Sequence, residues 1–332
     1  MYSNEAIPQP LGQTEDREMI YETMLITGCG GDIALALARI ARESGAVRRL
    51  IGCDIHADHP GAAFFDKCEL LPRANEGTYI EGLERIVAAH GVDVIVPMSE
   101  AEIAVLLAAG RLGTFAGVPV LTANKLAIET GLDKYATFNR LAAHELGVPW
   151  TRIVGEAPPQ ALPCILKRRR GQGSKDLRLV TTEEEVEITR QTRVGDLWQE
   201  LLLPEDQEYT CGLYRSRIGE TRMIVLRRRL QGGLTGAAVV ADSTPFSSLL
   251  HGIADALELN GSINVQLRLT ADGPKVFEIN PRFSSTVRFR DKLGFHDFIW
   301  SLLESRGLPI GDYRAPSPGI RMYRSADEVI IG

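Results

Sequence analysis

Between Ser262 and Thr270 the chain alternates without interruption: Ile263, Val265, Leu267 and Leu269 take one side, Asn264, Gln266 and Arg268 the other. Period-two patterning of this kind fits a strand with one buried face. Asp272-Gly273 follows as a hairpin signal, and then Val276-Phe277-Glu278-Ile279-Asn280-Pro281-Arg282. Residues two apart share a face, so Glu278 and Asn280 point together, and antiparallel pairing sets Gln266 nearly opposite them, within one residue of register. A carboxylate and two amide oxygens then converge on one side of a buried hairpin. Hard oxygen donors with little charge suit Mg²⁺, which keeps waters and completes its shell from phosphates. Pro281 stops the ladder, and Arg282 adds a forked donor for carboxylate or phosphate. The competing account is an edge hairpin with a solvated polar face.

The rest of the chain divides by rhythm. From Met24 to about Pro119, short apolar runs (Met24–Thr27, Leu50–Asp54, Val94–Pro97, Val118–Leu121) alternate with helical stretches at Ile33–Glu43, Tyr79–His90 and Glu100–Leu112. That order implies an α/β region with a parallel sheet covered on both faces. After Thr122 hairpin signals take over at Ile218-Gly219 and Asp272-Gly273, with helices at Asp133–Leu146, Glu183–Gln191 and Phe246–Leu259. This is an α+β pattern of mostly antiparallel sheets. The expected divisions are a loose tail at 1–23, an α/β domain at 24–122 and an α+β region at 123–332. The last splits into a small subdomain near 150–203 and a larger one near 204–332. At 332 residues, two or three cores are the natural expectation.

Several classes are excluded or disfavoured. A formal net charge of -6 speaks against a nucleic-acid partner. No apolar run is long enough for a bilayer, and Met1–Glu22 lacks the basic-then-apolar order of a signal peptide, so a cytoplasmic protein is expected. Cys29, Cys53, Cys68, Cys164 and Cys211 are scattered and never spaced Cys-x-x-Cys, which points to reduced thiols rather than disulfides or a zinc site. His56-x-x-His59 is read as a solvent-facing pair in a loop.

Two further segments invite phosphate. Gly28-Cys29-Gly30-Gly31, between a strand and a helix, resembles a dinucleotide turn, and Asp54 stands where a ribose-binding acid would. The third glycine of that fingerprint falls on Ile33, so a plain strand-to-helix turn is preferred and an NAD-dependent oxidoreductase is the rival. Farther on, Pro163–Lys167 reads as a strand ending in a cation and entering Arg168-Arg169-Arg170-Gly171-Gln172-Gly173-Ser174, with Leu177–Val180 as the return strand. Glycines let backbone N–H groups close on phosphate, and a lysine adds charge. Lys134, behind the cap Asp133, opposes its helix dipole, so helix stability does not account for it. Arg227–Arg229 and Arg288/Arg290 are candidates for the substrate side, foremost Arg229 and Arg288.

Taken in order, these segments resemble the ATP-grasp enzymes, in the branch similar to the large subunit of carbamoyl-phosphate synthetase. The likeness runs from Met24 onward through Asp133-Lys134, Lys167, Gly171–Ser174, Gln199-Glu200, Glu208-Tyr209-Thr210, Asn264-Val265-Gln266 and Glu278–Arg282. It implies that Lys134, Lys167, Gly171, Gly173 and Ser174 hold ATP phosphates. Glu200 and the Leu202 backbone would meet adenine, and Glu208 the ribose. Gln266, Glu278 and Asn280 would hold Mg²⁺, with Mn²⁺ as the alternative ion, and Arg282 would face the transferred phosphate or acyl group. Met24–Thr122 becomes the pre-ATP-grasp domain. The implied chemistry is carboxylate activation as an acyl phosphate and attack by an amine or similar nucleophile, with a homodimer as the expected assembly. A nucleotide sensor without catalysis is the other alternative. Arg168 stands where the family usually has proline after the strand lysine, and only one ATP-grasp unit is present, so full carbamoyl-phosphate synthesis is not expected.

Overall fold

A computed structural model describes residues 19–171, 176–325 and 328–331. The chain opens with β1 (Tyr21–Thr27), α1 (Asp32–Ser44), β2 (Val47–Asp54), β3 (Lys67–Leu70), α2 (Tyr79–His90), β4 (Val94–Val96) and α3 (Glu100–Ala108). The four strands form a parallel sheet in the order β3-β2-β1-β4. Order begins earlier than Met24 because Tyr21 is buried and its hydroxyl lies 2.6 Å from Ser305 Oγ, tying the first strand to the far end of the chain. β3 escapes sequence patterning: Lys67-Cys68-Glu69-Leu70 has no apolar run, and it pairs as an edge.

Val118–Leu121 is not a full fifth strand. It forms a two-residue pair of β5 (Thr114–Phe115) with β6 (Val118–Pro119), and Leu121 N–H donates to Ile95 O at 2.8 Å. Pro119 lacks the N–H that a continued ladder would need. Then come α4 (Lys125–Gly131) and α5 (Lys134–Ala143), followed by β7 (Thr151–Ile153), β8 (Cys164–Lys167), β9 (Arg178–Val180), α6 (Glu183–Thr192) and β10 (Leu197–Glu200). These strands make a small antiparallel sheet, β7-β10-β8-β9.

The largest sheet follows: β11 (Glu208–Arg215), β12 (Thr221–Gln231), β13 (Leu234–Val240), α7 (Thr244–Ala256), β14 (Gly261–Thr270), β15 (Gly273–Asn280), α8 (Val287–Lys292), α9 (Asp297–Ser305) and β16 (Arg321–Tyr323). Its order is β15-β14-β11-β12-β13-β16, antiparallel in every pairing. The α/β-then-antiparallel expectation therefore holds. Ile263, Val265 and Leu267 are fully buried and share one core with Leu25, Ile51 and Leu83 of the first domain and Leu250 and Ile253 of α7. The other face of the parallel sheet packs α1 against Phe283, Val287, Phe298 and Leu302. Both faces of the first sheet thus rest on later elements, and this sets its C-terminal edge beside the end of β15. Among the described residues no helix is long and apolar enough to cross a membrane.

Candidate active site

The β14–β15 hairpin has the expected register: Gln266 pairs with Glu278, and Asn264 with Asn280. A bulge falls between Gln266 and Leu267, just before the polar pair. Among the described residues Glu278 accepts no hydrogen bond; Lys167, Glu100 and Arg282 feel its charge through space. Gln266 Oε1 accepts from Arg228 Nη2 at 2.8 Å, and Asn280 Oδ1 accepts from Arg282 Nη2 at 3.2 Å.

Lys167 ends β8 and reaches across to the hairpin, where its Nζ donates to Phe277 O at 2.9 Å, over the ring of Phe138. Burial pulls its pKa down to about 7; Glu278 opposes that fall and Lys134 adds to it. An ammonium held this far from water favours any anion that enters beside it. Asp133 caps α5 through Tyr135 and Ala136 N–H and also receives Arg169 and Arg170. Burial works to raise its carboxyl pKa, and these donors together outweigh burial and hold it below the usual range. The cap sets Lys134 at the start of the helix, and its Nζ donates to Gly171 O at 2.6 Å. Gly173 and Ser174 lie outside the described residues.

These groups border one cleft of about 1060 Å³. Lys134, Lys167, Gly171, Glu200, Leu202, Glu208, Arg229, Gln266 and Glu278 all line it. At one end Glu200 pairs with Lys275 at 2.7 Å and accepts from Trp150 N–H, while Leu202 O accepts from Arg268 Nη1 at 2.6 Å. Glu208 is bracketed by Arg228 and Arg268, each at 2.6 Å. Sequence reasoning held Arg228 only as part of the Arg227–Arg229 substrate-side triplet and did not single out Arg268. Their signal was only a basic triplet and one alternation position, and the contact with Glu208 spans three strands.

Asn280 and Arg282 sit deeper, off the main cleft. Arg282 lines a separate small recess with Pro97 and Ser262, and its Nη2 lies 3.7 Å from Glu100 Oε1. Burial depresses the Arg282 pKa against the pull of Glu100 and Glu278, and burial likewise raises that of Glu100. Glu100 is a further residue that the sequence did not reveal. It comes from the parallel sheet's α3, whose start is fixed by a Ser99–Glu102 capping box and by Thr27 Oγ1, which donates to Glu102 at 2.8 Å and accepts from Met98 N–H at 2.9 Å. Arg288 is a correction: it forms an ion pair with Glu43 on α1, which lowers the Glu43 pKa, and it does not line the cleft. Helix α8 turns it toward α1, away from β15.

The glycine turn after β1 is also occupied by its own chain. Asp54 Oδ2 accepts from Gly30 N–H at 3.0 Å, and a Cβ on Gly30 would sit 2.7 Å from His59 Cβ, so this N–H is already bonded and His59 packs against the turn. Of the histidine pair, His56 is exposed as expected, whereas His59 is half-buried, with its Nε2 3.6 Å from Cys29 Sγ.

The chain is similar to several known proteins in sequence and fold. Residues 199–326 match the family described as "ATP-grasp in the biosynthetic pathway with Ter operon". A formate-dependent phosphoribosylglycinamide formyltransferase from Bacteroides fragilis is 29% identical over 168 residues, which span 47% of this chain and 40% of that protein. The structure of an N5-carboxyaminoimidazole ribonucleotide synthetase in its ADP complex superposes with a TM-score of 0.69 at 19% identity, covering 90% of this chain and 80% of that one. An L-amino acid ligase from Bacillus licheniformis gives 0.65 at 15%, covering 84% and 73%.

Proposed function

We infer that this chain, with the ATP-grasp fold and an ATP-grasp family match over residues 199–326, works on ATP, and these matches do not single out the carbamoyl-phosphate synthetase branch. We propose that it is an ATP- and Mg²⁺-dependent, ADP-forming ligase that activates a carboxylate as an acyl phosphate for attack by an amine or similar nucleophile. One observation carries this: Lys134, Lys167, Gln266 and Glu278, from separate segments of the chain, border a single cleft of about 1060 Å³. The names of the relatives, formate-dependent in one case and an amino acid ligase in another, support a carboxylate as the activated group.

In this proposal Lys134 and Lys167 receive the phosphates, and adenine and ribose lie toward Glu200, Leu202 and Glu208. Glu278, which accepts no hydrogen bond among the described residues, and the Gln266 and Asn280 side-chain oxygens form an oxygen donor set that fits Mg²⁺. When bound, the ion would neutralise charge on the phosphate oxygens. A substrate carboxylate oxygen bonds to the γ-phosphorus as the bridging P–O bond breaks, and ADP leaves with that electron pair. The nucleophile then adds to the acyl carbon and loses a proton, and phosphate departs. Arg282 faces the transferred group, and Glu100 beside it offers a carboxylate to the N–H of an incoming amine. These groups act by position and charge, so no covalent protein intermediate is needed.

The test is ADP release across a panel of carboxylates and amines, with hydroxylamine present to trap acyl phosphate as hydroxamate. At least one acid should stimulate ADP release and yield its hydroxamate. Nucleotide binding without acid-stimulated ADP release would overturn the proposal in favour of a sensor.

A further inference from the structure

Away from the cleft, three side chains meet at the C-terminal edge of the parallel sheet. Cys29 follows β1, Cys68 lies on β3, and His59 precedes the short helical turn Pro60–Ala63. Their ligating atoms all lie within 4.8 Å of one another. Cys29 Sγ is 3.9 Å from Cys68 Sγ and 3.6 Å from His59 Nε2. A tetrahedral zinc ion with Zn–S of about 2.3 Å and Zn–N of about 2.05 Å holds two sulfurs about 3.8 Å apart, and sulfur and nitrogen about 3.6 Å apart. The two separations from Cys29 match those such an ion would impose, and the third pair, Cys68 with His59, lies within 4.8 Å.

The surrounding backbone is shaped to this cluster. A Cβ on Gly52 would sit 2.6 Å from Cys29 Cβ and 2.8 Å from its sulfur, and Gly30 likewise leaves room for His59. Cys29 is fully buried, whereas Cys68 and His59 are partly exposed, so an ion has a route in from solvent. From this geometry we infer that Cys29, His59 and Cys68 form a binding site for a thiophilic divalent cation of the zinc class, separate from the Mg²⁺ proposed at the hairpin. Two sulfurs and an imidazole select such an ion over Mg²⁺, which prefers oxygen. The ion would staple β3 and the exposed loop before Pro60 onto the turn after β1, with its fourth position open to water.

Loading the site has a defined proton balance. Gly61 N–H donates to His59 Nδ1 at 3.0 Å, which leaves the ring proton on Nε2, facing Cys29. Binding releases the two thiol protons, moves the ring proton from Nε2 to Nδ1 and so ends the Gly61 bond. The residues just before His59 are exposed and can take up that shift.

The test is titration of the reduced, chelator-treated full chain with Co²⁺ and then Zn²⁺. The expected result is a thiolate-to-cobalt charge-transfer band with tetrahedral d–d bands, saturating at one ion per chain and displaced by Zn²⁺. Cobalt at the hairpin oxygens would give no thiolate band, so the two sites are read separately, and the outcome does not depend on ligase activity. Cys68→Ser should lose the band and weaken Zn²⁺ binding by more than about tenfold, and His59→Gln should shift the d–d bands, while Cys164→Ser keeps both signals. Variants are compared only where far-UV circular dichroism matches the parent. Absence of a thiolate band in the parent, or its persistence in Cys68→Ser, would overturn the inference.

Discussion

Two regions of this molecule gather ligating atoms at strand ends, and they do so in opposite ways. After β1 the donors are sulfur and nitrogen, packed with separations of 3.6 and 3.9 Å, against glycines that leave no spare room. On the β14–β15 hairpin the donors are oxygens, and Glu278 and Gln266 border a cleft of about 1060 Å³. Both segments invite a phosphate or metal when read as sequence. The difference teaches that donor type and free space, rather than a glycine count, decide what a strand end can hold. A tight cluster of soft donors has room only for an ion, whereas an open face of hard donors beside lysines has room for an ion and its phosphates.

The largest expected effect breaks the contrast if it fails. Glu278→Ala should reduce Mg²⁺-dependent ADP formation at least about a hundredfold, while the cobalt–thiolate band at the turn stays. An unaffected rate would remove Glu278 from the metal site, and loss of both signals would mean the regions are not independent.

A second, smaller effect sharpens the turn's side of the contrast. Gly52→Ala places a carbon 2.6 Å from Cys29 Cβ, and overpacking of this kind costs about 1–3 kcal/mol. A lowered urea midpoint with unchanged ATP affinity is expected. A midpoint equal to the parent's would show that the turn is looser than the structure implies.

The smallest effect concerns pH at the hairpin side. Lys167 is pulled down to about 7 from an ordinary 10.5, so without a ligand it is largely neutral at pH 8. Phosphates restore its charge, so ATP affinity should fall as pH rises above about 7, by no more than about tenfold per unit. Calorimetry at pH 8 in buffers of different ionisation enthalpy should report proton uptake on ATP binding, lost in Lys167→Met. No uptake in the parent would remove Lys167 from the phosphate site. Stability follows the same sign. Between about 7 and 10.5 the unfolded chain holds a proton that folded Lys167 has lost, so this residue makes the fold more stable as pH rises through that window.

Much of this was legible from residue order. Alternation in Ser262–Thr270 gave the buried strand and its hairpin, and the Gln266–Glu278 pairing followed from the Asp272-Gly273 turn, because side-chain period and turn length together set register. Lys167 at the end of its strand and Lys134 behind Asp133 were readable for the same local reason. Glu100, Arg228 and Arg268 were not, since each acquires its role by meeting a residue distant in sequence: Arg282 for the first, Glu208 for the other two. Arg288 went the other way, because helix α8 carries it to Glu43.

The sequence by itself determined the order of parallel and antiparallel elements and which residues share a strand face, since both depend on periodicity within a few residues. Only the tertiary structure decided which of those faces border open space and which are filled from elsewhere in the chain. Cys29, His59 and Cys68 show why: their spacing in the chain matches no metal motif, and the crossover from β1 through β2 to β3 brings them within 4.8 Å. Convergence of that kind is set by chain topology and packing, which local patterning does not encode.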